Sequence, residues 1–203
     1  MKKYLVLALC LLILTVGHAQ NYTEYFANKT LRVDYIFTGD ASCQNVCLDE
    51  LSVLPSWAGR HQHLAELPLQ GNGQIIMKDL ESGKTVYTTS FSSLFQEWLE
   101  TDEAKVVSKG FENTFLLPYP LRPVEIEITL LSPRKEVRTC LKHTVRPDDV
   151  LIHQKGTAHI TPHKYLLKSG ETDKCIDVAI LAEGYTPAEM DVFYQDAEIA
   201  CKS

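Results

Sequence analysis

From Thr30 to about Lys142, apolar and polar side chains alternate with a period of two, and this limits the fold more than any other property of the chain. An extended backbone sends successive side chains to opposite faces, so such a pattern gives strands with one dry face and one wet face. Leu31, Val33, Tyr35 and Phe37 alternate with Arg32, Asp34 and Ile36 before a turn at Thr38-Gly39-Asp40. Val124, Ile126, Ile128 and Leu130 alternate with Glu125, Glu127 and Thr129 in the clearest strand of all. Residues 74–80 and 84–91 flank Glu81-Ser82-Gly83, a short connection that suits a hairpin. Val137, Thr139 and Leu141 add another strand after Ser132-Pro133-Arg134. One-sided strands joined by short turns predict an antiparallel β-sandwich, not a parallel sheet.

Residues 92–100 interrupt the pattern. A serine start, with Leu94, Phe95, Trp98 and Leu99 at helical spacing, predicts about two turns of helix covering an edge or end of the sandwich. Its aromatic residues are expected to pack in the core, with a ligand platform as the weaker alternative.

The first nineteen residues read as a secretory signal peptide: Lys2 and Lys3, an apolar run over residues 4–14, then Gly17-His18-Ala19. Cleavage is expected between Ala19 and Gln20, and Cys10, preceded by bulky Leu9, does not match a lipoprotein site. The apolar run is too short to cross a bilayer, and no other stretch is long enough, so the mature protein is expected to be secreted or periplasmic, with no membrane span. Removing 19 of 203 residues and two of 20 basic side chains leaves 184 residues with 18 bases against 26 acids, a formal charge of −8. That balance disfavours nucleic-acid partners.

Five cysteines remain, Cys43, Cys47, Cys140, Cys175 and Cys201, an odd number that cannot pair completely. A Cys43–Cys47 bridge suits an export compartment, and free thiols suit the sparse spacing equally. The histidines do not form a metal motif. His61 and His63 lack a third ligand, Pro162 between His159 and His163 breaks a helical pair, and there is no His-Glu-x-x-His helix. No catalytic or metal residue is therefore assigned.

After Arg146-Pro147-Asp148-Asp149 the strand pattern ends and residues 151–169 read as a linker. Residues 175–182 are almost continuously apolar, as a strand buried on both faces would be. Glu183-Gly184-Tyr185 then gives a turn, and Thr186-Pro187-Ala188-Glu189 gives an N-cap, a first-turn proline and a capping-box acid. Met190, Phe193, Tyr194, Ala197 and Cys201 form one helical stripe. A doubly buried strand needs neighbours on both edges, so residues 170–203 are expected to open an α/β domain whose remainder lies elsewhere. The alternative is that this strand and helix pack on the sandwich and complete a small α+β protein. Glu183 is expected to serve the turn and carries no assigned catalytic role.

Residues 31–37, 54–60, 90–98, 109–115 and 177–186 (Asp-Val-Ala-Ile-Leu-Ala-Glu-Gly-Tyr-Thr) resemble the amino-terminal part of the secreted bacterial zinc metallopeptidases named IgA peptidases. The resemblance implies a β-sandwich accessory domain over 20–150 followed, from 170, by the start of an α/β metallopeptidase domain. In that family a His-Glu-x-x-His helix binds zinc and its glutamate is the general base; the present sequence contains no such helix. The expected function is a non-catalytic accessory domain, with no cofactor in this chain and zinc expected in the full-length family member. Its expected partners are the missing carboxyl-terminal catalytic domain and, through it, a protein substrate. The alternative from another class is a stand-alone exported sandwich that binds a glycan or host protein, for which Trp57 and Tyr119 are the loose aromatic candidates. An independent hydrolase would require three convergent His, Asp or Glu side chains.

Overall fold

The computed structural model describes residues 21–67, 69–156, 162–171 and 175–202. The signal peptide with its Ala19–Gln20 junction, and also His159, lie outside the described residues. A short helix α1 (Tyr22–Tyr25), capped by the Asn21 side chain, leads into β1 (Phe26–Gly39). There follow β2 (Gln44–Leu54), β3 (Gly73–Asp79), β4 (Thr85–Phe91), α2 (Leu94–Trp98) and β5 (Lys109–Pro120). The sheets finish with β6 (Val124–Leu131), β7 (Val137–Val145) and β8 (His153–Gln154). A single turn of 3-10 helix, Pro187–Glu189, then runs into α3 (Met190–Ala200).

The fold is mainly β, a sandwich of two four-stranded sheets in the orders β5-β1-β2-β8 and β4-β3-β6-β7, followed by a short helix. All neighbours are antiparallel except β2 and β8, which pair in parallel through Ser52–His153 and Val53–Gln154. The ladder thus takes in two residues that composition assigned to the linker.

The period-two pattern explains the packing directly. Leu31, Val33, Tyr35 and Phe37 of β1 are fully buried, as are Ile75 and Met77 of β3 and Ile126, Ile128 and Leu130 of β6, and all belong to one core cluster. Each such side chain contributes about 1.5–3 kcal/mol by leaving water. The intervening residues face solvent and pair there: Lys142 meets Glu127 at 2.8 Å, and Arg32 holds Asp34 at 2.9 Å.

Helix α2 is shorter than the sequence suggests. Ser93 Oγ accepts from the Gln96 backbone N–H and so caps it. Phe95, fully buried, meets Phe37 at 6.1 Å and Phe111 at 5.5 Å between ring centres, which closes that end of the sandwich. Gln96 secures the plug by donating to the carbonyl oxygens of Leu131 and Asn72, at 3.0 and 2.5 Å. These aromatic residues are therefore core, with the Trp98 indole N–H donating to Glu103 at 2.8 Å.

The Cys43–Cys47 bridge does not form; all five described cysteines are free thiols. Cys43 lies in the turn before β2 and Cys47 lies within it. Four residues of extended chain separate their Cα atoms by about 13 Å, beyond the ~7 Å that a disulfide spans.

Candidate functional site

The segment that differs most from the sandwich is 162–202. Its helix is built as the local sequence dictates. Thr186 and Glu189 form a reciprocal capping box, the Thr186 backbone N–H and Oγ1 donating to Glu189 Oε2 at 2.9 and 2.7 Å. These bonds hold the Glu189 carboxyl below its ordinary range. Gly184, at a φ of +86°, makes the turn that precedes the cap, and Glu183 stands exposed in the same turn.

Of the expected helical stripe, Phe193 and Ala197 are buried, Met190 and Tyr194 are half-buried and Cys201 is exposed. The cover is local. The Tyr185 ring meets Phe193 edge-on at 5.4 Å, and its hydroxyl donates to Asp196 Oδ2 at 2.9 Å, which raises the phenol above its ordinary pKa. Lys164 reaches Glu198 at 3.4 Å and lies 5.0 Å from the centre of the Tyr194 ring. The spacing of Tyr185 and Asp196 carries no periodic signal, so this bond was not readable from sequence.

The stretch expected as a doubly buried strand, residues 175–182, has no ladder. Ile176 is 93% exposed, Val178 83% and Leu181 79%. Backbone groups of an extended chain form a strand only beside a neighbour that completes their hydrogen bonds, and no described residue fills that role. Val192 and Ile199 on α3, with Tyr165 and Leu167 before it, extend the exposed apolar surface. The sandwich core cluster runs from Tyr22 to Ile152 and contains no residue of this segment. The chain therefore presents a pre-capped helix and a ladderless apolar stretch, an arrangement suited to docking against further structure.

Elsewhere the candidate residues are engaged in packing. Trp57 is buried, with its indole N–H donating to the Arg60 carbonyl at 3.2 Å, and Arg60 returns across the loop to the carbonyls of Leu64, Glu66 and Thr88. The Tyr119 hydroxyl donates to the Pro147 carbonyl at 2.7 Å. His61 packs edge-on against Tyr22 at 4.2 Å, His63 bonds Glu66 at 2.9 Å, and His163 meets Tyr165 edge-on at 5.7 Å, so these three described histidines do not converge. No group of three or more His, Cys, Asp or Glu side chains placed to hold a metal occurs among the described residues. An open cleft of about 380 Å³ beside Asp40, Lys105 and Ser108 is a fastened turn. Asp40 accepts from the Ser42 and Cys43 backbone N–H groups and from the Ser42 and Ser108 hydroxyls, which holds its carboxyl well below the usual range.

A family model described as Peptidase M64 N-terminus matches residues 21–142, more than half of the chain. The chain belongs to this family. The M64 amino-terminal match spans α1 through most of β7 and so covers the sandwich apart from the end of β7 and β8, whereas the exposed segment 162–202 lies beyond it. Comparison with curated proteins returned no match. Among the described residues of this M64 chain, no helix is long and apolar enough to cross a membrane.

Proposed function

We propose that this chain is the non-catalytic amino-terminal part of an exported zinc metallopeptidase of the IgA-peptidase type, and that residues 170–203 are the first strand and helix of its catalytic domain, waiting for the rest of that domain to cover them. Its domains follow as a signal peptide over 1–19, a sandwich over 20–150, a linker over 151–169 and the opening of the catalytic domain from 170. In this reading zinc and its ligands belong to the catalytic domain, and the protein acts in the periplasm or outside the cell. The observation that carries the reading is the capped helix and apolar stretch left uncovered directly after a family-matched accessory domain. Burying Ile176, Val178 and Leu181 upon docking would contribute about 1.5–3 kcal/mol for each side chain.

The test begins with the genomic reading frame past the codon for Ser203, followed by expression of both the 203-residue chain and any longer product. The short chain is expected to retain no stoichiometric zinc and cleave no peptide, with fast amide exchange over residues 176–181. The longer product is expected to bind zinc, cleave peptides and protect those amides. Zinc-dependent peptidase activity in the short chain, or slow exchange there, defeats the proposal.

A further inference from the structure

A part-buried polar contact joins the two sheets. Tyr35 on β1, fully buried, lies 2.6 Å from His143 Nε2 on β7, with the two rings edge-on at 5.7 Å. Tyr35 has no other acceptor for its hydroxyl proton among the described residues, so the arrangement that satisfies most groups has Tyr35 donating to a neutral imidazole protonated at Nδ1. That Nδ1 is buried and has no partner.

The groups around the imidazole cannot stabilise a charge. Across the sheet interface β1 offers only Tyr35, whose phenol burial pushes up. Phe115 of β5 lies beside Tyr35, and Leu48 of β2 is its ladder partner. On β6 the ladder partner of His143 is Ile126. The nearby charges face away: Lys142, Glu125 and Glu127 pair on the outer face, Glu50 is held by Lys155 at 2.9 Å, and Asp49 is exposed on β2.

We propose that the Tyr35–His143 contact is an acid-sensitive joint between the two sheets, and that protonating His143 frees β7 from the sandwich. Strand β7 is the element able to leave, because it stands at the edge of its sheet with β6 alone as ladder partner. A second proton on His143, at Nε2, puts an unpaired charge on a largely desolvated ring whose Nδ1 donor is already unmet, and deprives the Tyr35 hydroxyl of its acceptor. Burial lowers the imidazole from 6.5 to about 4. A group with a depressed folded-state pKa contributes in full above its unfolded value, so the joint holds above pH 6.5 and weakens as pH falls to about 4. Over that window the opening constant rises by up to about 300-fold.

The experiment follows the imidazole resonances of the full chain by NMR from pH 7.5 to 4, together with β7 amide exchange corrected for its intrinsic rate. The native imidazole is expected to stay neutral to about pH 4.5, with β7 opening tens to hundreds of times more often at pH 4 than at pH 7. His143→Gln, which keeps an acceptor for Tyr35 and does not titrate, is expected to flatten that rise. An imidazole that titrates near 6.5 with β7 still protected overturns the joint, and so does an unchanged profile in His143→Gln. The imidazole titration decides the matter alone if the variant does not fold.

Discussion

Two glycines with left-handed backbones have different duties. Gly39, at a φ of +134°, ends β1, and a Cβ built there would sit 2.0 Å from the Cys43 carbonyl oxygen. Gly83, at +67°, completes the β3–β4 turn with open space around it. Gly83→Ala is expected to cost about 1–2 kcal/mol, the ordinary penalty of a Cβ in that conformation. Gly39→Ala adds a steric collision and is expected to cost more, by at least about 1 kcal/mol. Urea denaturation of both variants checks the order, and equal midpoints would remove the collision as a cause. Sequence marks both glycines as turn residues but not the difference, which depends on how closely the start of β2 folds back. Tyr35 and His143 show the same limit: alternation places each on an inward face, and only the stacking of the two sheets brings them together.

At the level of elements, the strands legible in the sequence are those whose inward positions are uniformly apolar. Strand β6 reads Val124, Ile126, Ile128 and Leu130 inward, all buried, and the β3–β4 hairpin forms where its turn predicts. Strand β2 is harder to read because a bulge opposite Asp34 and Tyr35 shifts its register around Asp49. Strand β8, two residues long, has no pattern to read, and residues 175–182 have a strand's composition without a neighbour. For α2, the serine cap is visible in sequence, whereas the reach of Gln96 to Leu131 and Asn72 is tertiary. Ser93→Ala is expected to cost about 1 kcal/mol as the loss of a cap. Gln96→Leu is expected to cost about 1–3 kcal/mol because the Leu131 carbonyl loses the Gln96 donor and the Asn72 carbonyl keeps only the Leu131 N–H. Thermal unfolding of the two variants and the double variant measures these effects, and strictly additive losses would count against α2 acting as one plug.

For the molecule as a whole, stability resides in the sandwich, since the core cluster ends at Ile152. A chain ending at Gly156 is expected to unfold at the same denaturant midpoint and with the same cooperativity as the 203-residue chain. A clear loss of stability on that deletion would mean that 162–202 supports the sandwich and would favour the compact α+β alternative. The fold class was readable because a sandwich is the sum of its alternating strands. The exposure of 175–182 was readable only as a missing partner, inferred from composition.

The parallel pairing of β8 gives the chain a mechanical property. Among the described residues the ladder holds the downstream segment through Ser52–His153 and Val53–Gln154, backed by His153, 3.5 Å from Glu50, and by Lys155, whose N–H donates to the Val53 carbonyl at 3.0 Å and whose ammonium meets Glu50 at 2.9 Å. A pull transmitted from beyond Gly156 loads these few bonds before it reaches the long ladders of β1. They yield first, lengthening the tether by a few residues before the load passes to the end of β7.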